Sequence, residues 1–181
     1  MGMSVILVNR QRARKVNLRM LKQIADALLA DLKIADVELG VYLVAAPEMT
    51  QLNEKFLRHQ GSTDVITFNY TDNAGQASRL SHSKKKKYVD RQDACPTVHG
   101  EIFICVDEAV EQTRRFRTNW QSEIVRYLVH GVLHLRGYDD SRPGERRKMK
   151  QAENRLLRQF SRRFSLAQLG RAVKLSPCKS L

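Results

Sequence analysis

A chain of 181 residues is long enough to bury one full hydrophobic core, and 42% hydrophobic with 28% charged residues excludes wholesale disorder. No apolar run approaches the roughly 18 to 20 residues that cross a bilayer. The N-terminal stretch places Arg10 after its apolar run rather than before it, so neither a membrane protein nor a secretory signal is expected and the cytoplasm is the predicted compartment. A formal charge of +13 predicts a polyanionic partner, nucleic acid ahead of an anionic membrane surface.

Ser4 to Asn9 reads as a first strand. Asn17 is placed to cap a helix from Leu18 to Ala30, whose Leu21, Ile24, Ala25, Leu28 and Leu29 recur at helical spacing. Val37, Leu39, Val41 and Leu43 alternate with Glu38 and Tyr42 as a half-buried strand requires. Pro47 suits the first turn of a helix carrying Met49, Leu52, Phe56 and Leu57. Asp64 to Phe68 and Gly100 to Val106 supply a third and a fourth strand. Between them, residues 70–97 are almost wholly polar, include the run Lys84 to Lys87, and hold too few apolar groups to pack; they are expected to form a mobile insertion in a hairpin. The lysine run reads as a solvated loop tip, with contact to a polyanion as the alternative.

Asp107 is expected to cap a helix through Val110 and Phe116. The next helix runs from Gln121 to Leu135, and Pro143 starts a last one ending near Phe160. The domain is therefore drawn at 1–161, with 162–181 as a flexible basic tail. From Arg142 to Leu181 the chain has twelve basic residues against Glu145 and Glu153, so most of the excess charge follows this point. The order of strands and helices favours an α+β, three-layer fold around a mixed sheet. Three cysteines with no close pair suggest neither a disulfide framework nor a cysteine zinc site. Cys105 reads as a small buried hydrophobe and Cys178 as an exposed tail thiol.

The chemistry concentrates between His130 and Asp140. Two histidines four residues apart put both rings on one helix face, close enough for their nitrogens to share an ion. Gly137 falls where that helix should end and turns the chain back, bringing Asp140 toward His130 and His134. Two imidazoles and one carboxylate satisfy zinc and leave a fourth position for water. Asp139 rivals Asp140 as third ligand, and the carboxylate left over could orient a histidine or cap the following helix. Tyr138 is expected to pack on the site or donate a hydrogen bond to it. His59, His82 and His99 have no sequence partner that makes them ligands. The spacing also resembles that of zinc peptidases of the metzincin type, which place a glutamate general base directly after the first histidine; here Gly131 stands there, which argues against peptide hydrolysis.

The string His130-Gly-Val-Leu-His134-Leu-Arg-Gly137-Tyr138-Asp139-Asp140 resembles the signature of the YbeY family of bacterial metal-dependent endoribonucleases. Two further stretches agree in order: Asn53 through Phe56 followed by Thr63-Asp64-Val65-Ile66-Thr67-Phe68, and Gly100-Glu101-Ile102-Phe103-Ile104-Cys105. The resemblance covers about residues 4 to 160 and implies a mixed four-stranded sheet packed with about five helices and one zinc per chain. It further implies single-strand-preferring RNA cleavage in ribosomal RNA maturation, including the 3′ end of 16S rRNA, and in ribosome quality control. RNA and the small ribosomal subunit are the implied partners. The chain departs from the family pattern twice. Asp140 stands where the family usually has a third histidine, which keeps a competent ligand but weakens the metal as a Lewis acid. Leu57 stands where the family has an arginine, and Arg58 follows one residue later, a rotation of about 100° on an α-helix. Arg58 is the candidate catalytic cation beside a metal-activated water. The competing reading is a non-catalytic ribosome-assembly factor in which zinc is a structural clip.

Overall fold

The computed structural model describes residues 2–71, 97–116 and 118–170. The Lys84 to Lys87 run, His82, Cys95 and Cys178 lie outside them, as do most of the expected insertion and the end of the expected tail. Four strands form one sheet in the order β1-β2-β4-β3, where β1 is Met3–Asn9, β2 Asp36–Val44, β3 Val65–Asn69 and β4 Thr97–Cys105. The first three neighbours run parallel and β3 runs antiparallel to β4, which makes the sheet mixed as expected. Helix α1, Leu18–Asp31, makes the crossover from β1 to β2; Asn17 Oδ1 accepts from the Met20 amide at 3.1 Å and caps it.

Strand alternation divides the sheet between two cores. Val37, Leu39, Val41 and Leu43 of β2 join Val98, Ile102 and Ile104 of β4 in the main core with α1 and α4, Trp120–Leu135. Val44, Phe103 and Cys105 face the other way and pack with Met49 and Ile66 in a smaller cluster under α2, Ala46–Leu52. Helix α4 lies against β3 and β4 on one side and against α3, Val106–Phe116, and α5, Pro143–Arg163, on the other. It is apolar nearly all round because it is covered nearly all round. Gly131 permits the close approach: a Cβ there would meet Ile102 Cγ2 at 2.8 Å.

The structure corrects two local expectations. Asp107 does not cap its own helix; its Oδ2 accepts from the Ala46 amide at 2.7 Å, supplying α2 with the side-chain cap that Ala45 cannot provide. The helix expected to run on through Leu57 changes at Asn53 into a π-helical turn, Asn53–Leu57, ended by Arg58 in the left-handed region at φ 59°. Helix α5 continues to Arg163. Beyond it a 3-10 turn, Leu166–Gly170, buries Leu166 and Leu169, and the Leu169 carbonyl accepts from the Asn17 amide at 2.8 Å. Two leucines three residues apart are enough to dock this segment although the surrounding sequence is basic.

Candidate metal centre

Helix α4 ends in a backbone motif that determines the site. The Gly137 amide donates to the His134 carbonyl at 2.8 Å and the Tyr138 amide to the Leu133 carbonyl at 3.0 Å, with Gly137 at φ 85°. This pair of bonds and the left-handed glycine reverse the chain at low conformational cost. Asp140 returns over the last turn of α4, and Arg146 Nε in the first turn of α5 holds the Asp140 carbonyl at 2.9 Å.

His130 Nε2 and His134 Nε2 lie 3.0 Å apart, and Asp140 Oδ2 lies 3.9 and 3.8 Å from them. These three side chains form a group of ligand atoms within 4.8 Å of one another. Asp139 is engaged elsewhere: its carboxylate accepts from the Ser141 amide at 2.8 Å and hydroxyl at 2.7 Å, bonds that hold its pKa below the usual range. Tyr138 contributes its backbone rather than its ring. Its carbonyl is 3.1 Å from His134 Nδ1.

These contacts settle the tautomers by elimination. A carbonyl only accepts, so His134 Nδ1 carries the proton and its Nε2 presents a lone pair. His130 Nδ1 donates in the same way to Glu153 Oε2 at 3.1 Å, from α5. Glu153 is buried, which opposes its charge, yet hydrogen bonds from His130 and Arg126 hold its pKa below the ordinary carboxylate value. Arg126 Nη1 reaches Glu153 Oε1 at 2.6 Å and Asn154 Oδ1 at 3.1 Å. Burial pushes the His130 pKa down, but Glu153, with Asp64 and Asp140 adding their charge, more than offsets it and the net shift is upward. For His134, burial and the neighbouring His130 prevail and its pKa falls.

With both Nδ1 protons engaged, the two Nε2 atoms face each other across 3.0 Å beside a carboxylate, a convergence that a shared cation satisfies, whether a proton between the rings or a metal ion bound by all three side chains. Ligands about 2.0 to 2.2 Å from a tetrahedral zinc lie roughly 3.3 to 3.6 Å apart, so shifts of a few tenths of an ångström, the two rings moving apart and Asp140 moving in, bring all three to bonding positions. The donor set fits zinc.

The remaining candidates stand apart from this group. Arg58 is exposed; its amide donates to the Asn53 carbonyl, and its guanidinium has no hydrogen bond or ion pair among the described residues. His59 is exposed too, and His99 Nε2 pairs with Glu38 at 3.2 Å. Cys105 is fully buried and burial pushes its thiol up to about 11. Sequence reasoning passed over Glu153 and Arg126. The available signal was an acid at helical spacing between Met149 and Leu156, on the apolar stripe of a helix otherwise strongly basic.

A Thermotoga maritima protein whose solution structure is known superposes with a TM-score of 0.54 at 22% identity, covering 90% of this chain and 95% of that one, a likeness of fold. Among relatives, endoribonuclease YbeY of Chlorobium phaeovibrioides is 34% identical over 110 residues, 61% of this chain and 60% of that protein. For the Chlorobium luteolum protein of the same name the figures are 34% over 112 residues, 62% and 66%. The chain thus spans less than two thirds of these two relatives. It is 30% identical to that of Syntrophotalea carbinolica over 166 residues, 91% of this chain and 99% of that one. The family model described as endoribonuclease YbeY matches residues 3–161, so this chain belongs to the YbeY family, with an aspartate, Asp140, completing its metal triad.

Proposed function

We infer that this chain is a zinc-dependent endoribonuclease that cleaves single-stranded RNA during ribosomal RNA maturation, the 3′ end of 16S rRNA included, in association with the small ribosomal subunit. One observation carries the reading: two imidazole lone pairs and one carboxylate converge, and the described residues offer no fourth ligand. A structural zinc site is closed by four protein ligands, whereas three leave a coordination position for water or substrate. Bound zinc supplies Lewis acidity toward the phosphodiester and makes water a better nucleophile at neutral pH.

The protein's part is orientation and charge. Glu153 and the Tyr138 carbonyl hold the two rings by their Nδ1 protons, and Arg126 keeps Glu153 ionised. Asp140 brings a negative charge where a histidine would be neutral, so its site favours a less acidic water than an all-histidine triad. No general base stands after His130, since Gly131 packs on Ile102 and has no room for a side chain. Arg58, on an exposed turn, is the candidate cation for the scissile phosphate.

The test is metal analysis of the purified protein, with cleavage of single-stranded and structured RNA by wild type and His134→Ala. The expected result is one zinc per wild-type chain, faster cleavage of the single-stranded RNA, and loss of cleavage in a variant that still folds. A variant that unfolds would favour the structural-clip reading instead.

A further inference from the structure

We propose that the outward face of α5, carrying Arg155, Arg158 and Arg162, is a holding surface for the phosphate backbone of RNA. This rests on RNA being the substrate. Residues 100° apart on a helix place Met149, Leu156 and Phe160 on one side, where they are buried, and the three arginines within about 60° of one another on the opposite side. All three are exposed. They share this open face with the side chains of Gln151, Asn154 and Gln159, all on α5 itself.

Several other cations of the helix are engaged, Arg147 and Lys150 excepted. Lys148 pairs with Glu145 at 3.0 Å and Arg146 holds the Asp140 carbonyl. At the other end Arg163 lies 3.6 Å from Asp31, which also accepts from Gln159. Arg155, Arg158 and Arg162 have no ion pair among the described residues, and no acidic residue occurs from Asn154 to Arg163. Like charges three and four residues apart on a helix repel one another, and a bound polyanion reverses that repulsion. The arginines rise about 10 Å over seven residues, a spacing suited to successive phosphates, each open to two parallel N–H···O bonds from a guanidinium. The amides of Gln151 and Asn154 add neutral donors and acceptors for sugar hydroxyls. A membrane surface fits poorly, because the apolar side of α5 is buried in the core and unavailable for insertion.

Asn154 borders this face and accepts from Arg126, whose guanidinium also grips Glu153, the partner of His130. Glu153 itself is buried on the side of α5 turned to α4, so a strand held along the arginines lies across the helix from the metal centre and the face serves to hold RNA rather than to deliver it to the ligands.

The experiment uses the full chain loaded with zinc and a fluorescent single-stranded RNA. Affinity is measured from about 50 to 200 mM salt for wild type, for Arg155→Gln/Arg158→Gln/Arg162→Gln, and for Arg158→Glu alone. We expect the triple variant to bind at least tenfold more weakly at low salt, with a log–log salt slope shallower by about two, as loss of three phosphate contacts on a single strand predicts. Arg158→Glu should also weaken binding, and both variants should keep the zinc content and thermal midpoint of wild type. Unchanged affinity and slope in both variants, while wild type binds and cleaves, overturn the holding surface and leave the proposed function standing. A zinc-loaded wild type that neither binds nor cleaves RNA overturns both.

Discussion

Glu153 is the residue on which the metal site turns without itself being a ligand. Its carboxylate sits between Arg126 and His130, so Glu153→Gln removes the charge while keeping the shape. Loss of such an orienting partner typically costs ten- to a hundredfold in metal affinity; zinc titration against a competing chelator should show a fall in that range, with an unchanged far-ultraviolet spectrum. Cys105 makes a second prediction at this scale. Its folded value, about 11, is raised from the ordinary 9.0 by burial. With the folded value raised, its contribution to stability is whole below the ordinary thiol value and is lost as pH rises through the folded one. In a chain whose other cysteines are replaced by serine, a thiol reagent at about pH 8 should leave the native protein unmodified and label one thiol after unfolding in urea. Fast labelling of the native chain would contradict this packing.

Two glycines determine how α4 behaves as an element. Gly131→Ala gains up to about 1 kcal/mol of helix propensity but thrusts a methyl against Ile102 at 2.8 Å, and overpacking of this kind costs about 1 to 3 kcal/mol. The clash should win: chemical denaturation is expected to show a net loss of about 1 kcal/mol, and Ile102→Val in the same chain should recover part of it. Gly137→Ala acts differently, because φ 85° strains any L side chain by about 1 kcal/mol whatever the free space. Its expected signature is a fall in zinc affinity larger than its fall in stability, since relaxing that turn moves Asp140 away from the histidines. Equal losses in both would mean that Asp140 does not depend on the turn.

For the whole molecule, the main core and the metal triad are separable. The apolar contacts of α4 with the sheet, α1 and α5 do not pass through His130, His134 or Asp140. Chelation should therefore lower the thermal midpoint while leaving helix content intact, because the chain forfeits only the binding linkage, about 4 kcal/mol at a thousandfold excess of metal over its dissociation constant. Complete unfolding on chelation would mean that zinc holds the fold together. No described helix is long and apolar enough to cross a membrane.

Periodicity, with the cap and proline signals at Asn17, Pro47 and Pro143, located the main strands and helices, because Val37 to Leu43 and Leu21 to Leu29 declare a face through local spacing. The histidine pair, Gly137 and a nearby carboxylate were legible for the same reason: four residues on a helix and one turn after it are a local geometry. Which aspartate turns inward was not local. Asp139 and Asp140 are adjacent in sequence, and Ser141 engages the first while Arg146 fixes the backbone of the second. Asp107 reaching α2 and Glu153 reaching His130 join residues 61 and 23 positions apart, distances over which spacing carries no information. The turn at Leu166–Gly170 closed on Asn17 by the same kind of long-range contact. Tertiary structure decided these because a buried polar group takes whichever partner the packing brings within reach, and packing is a property of the assembled elements, not of any one segment.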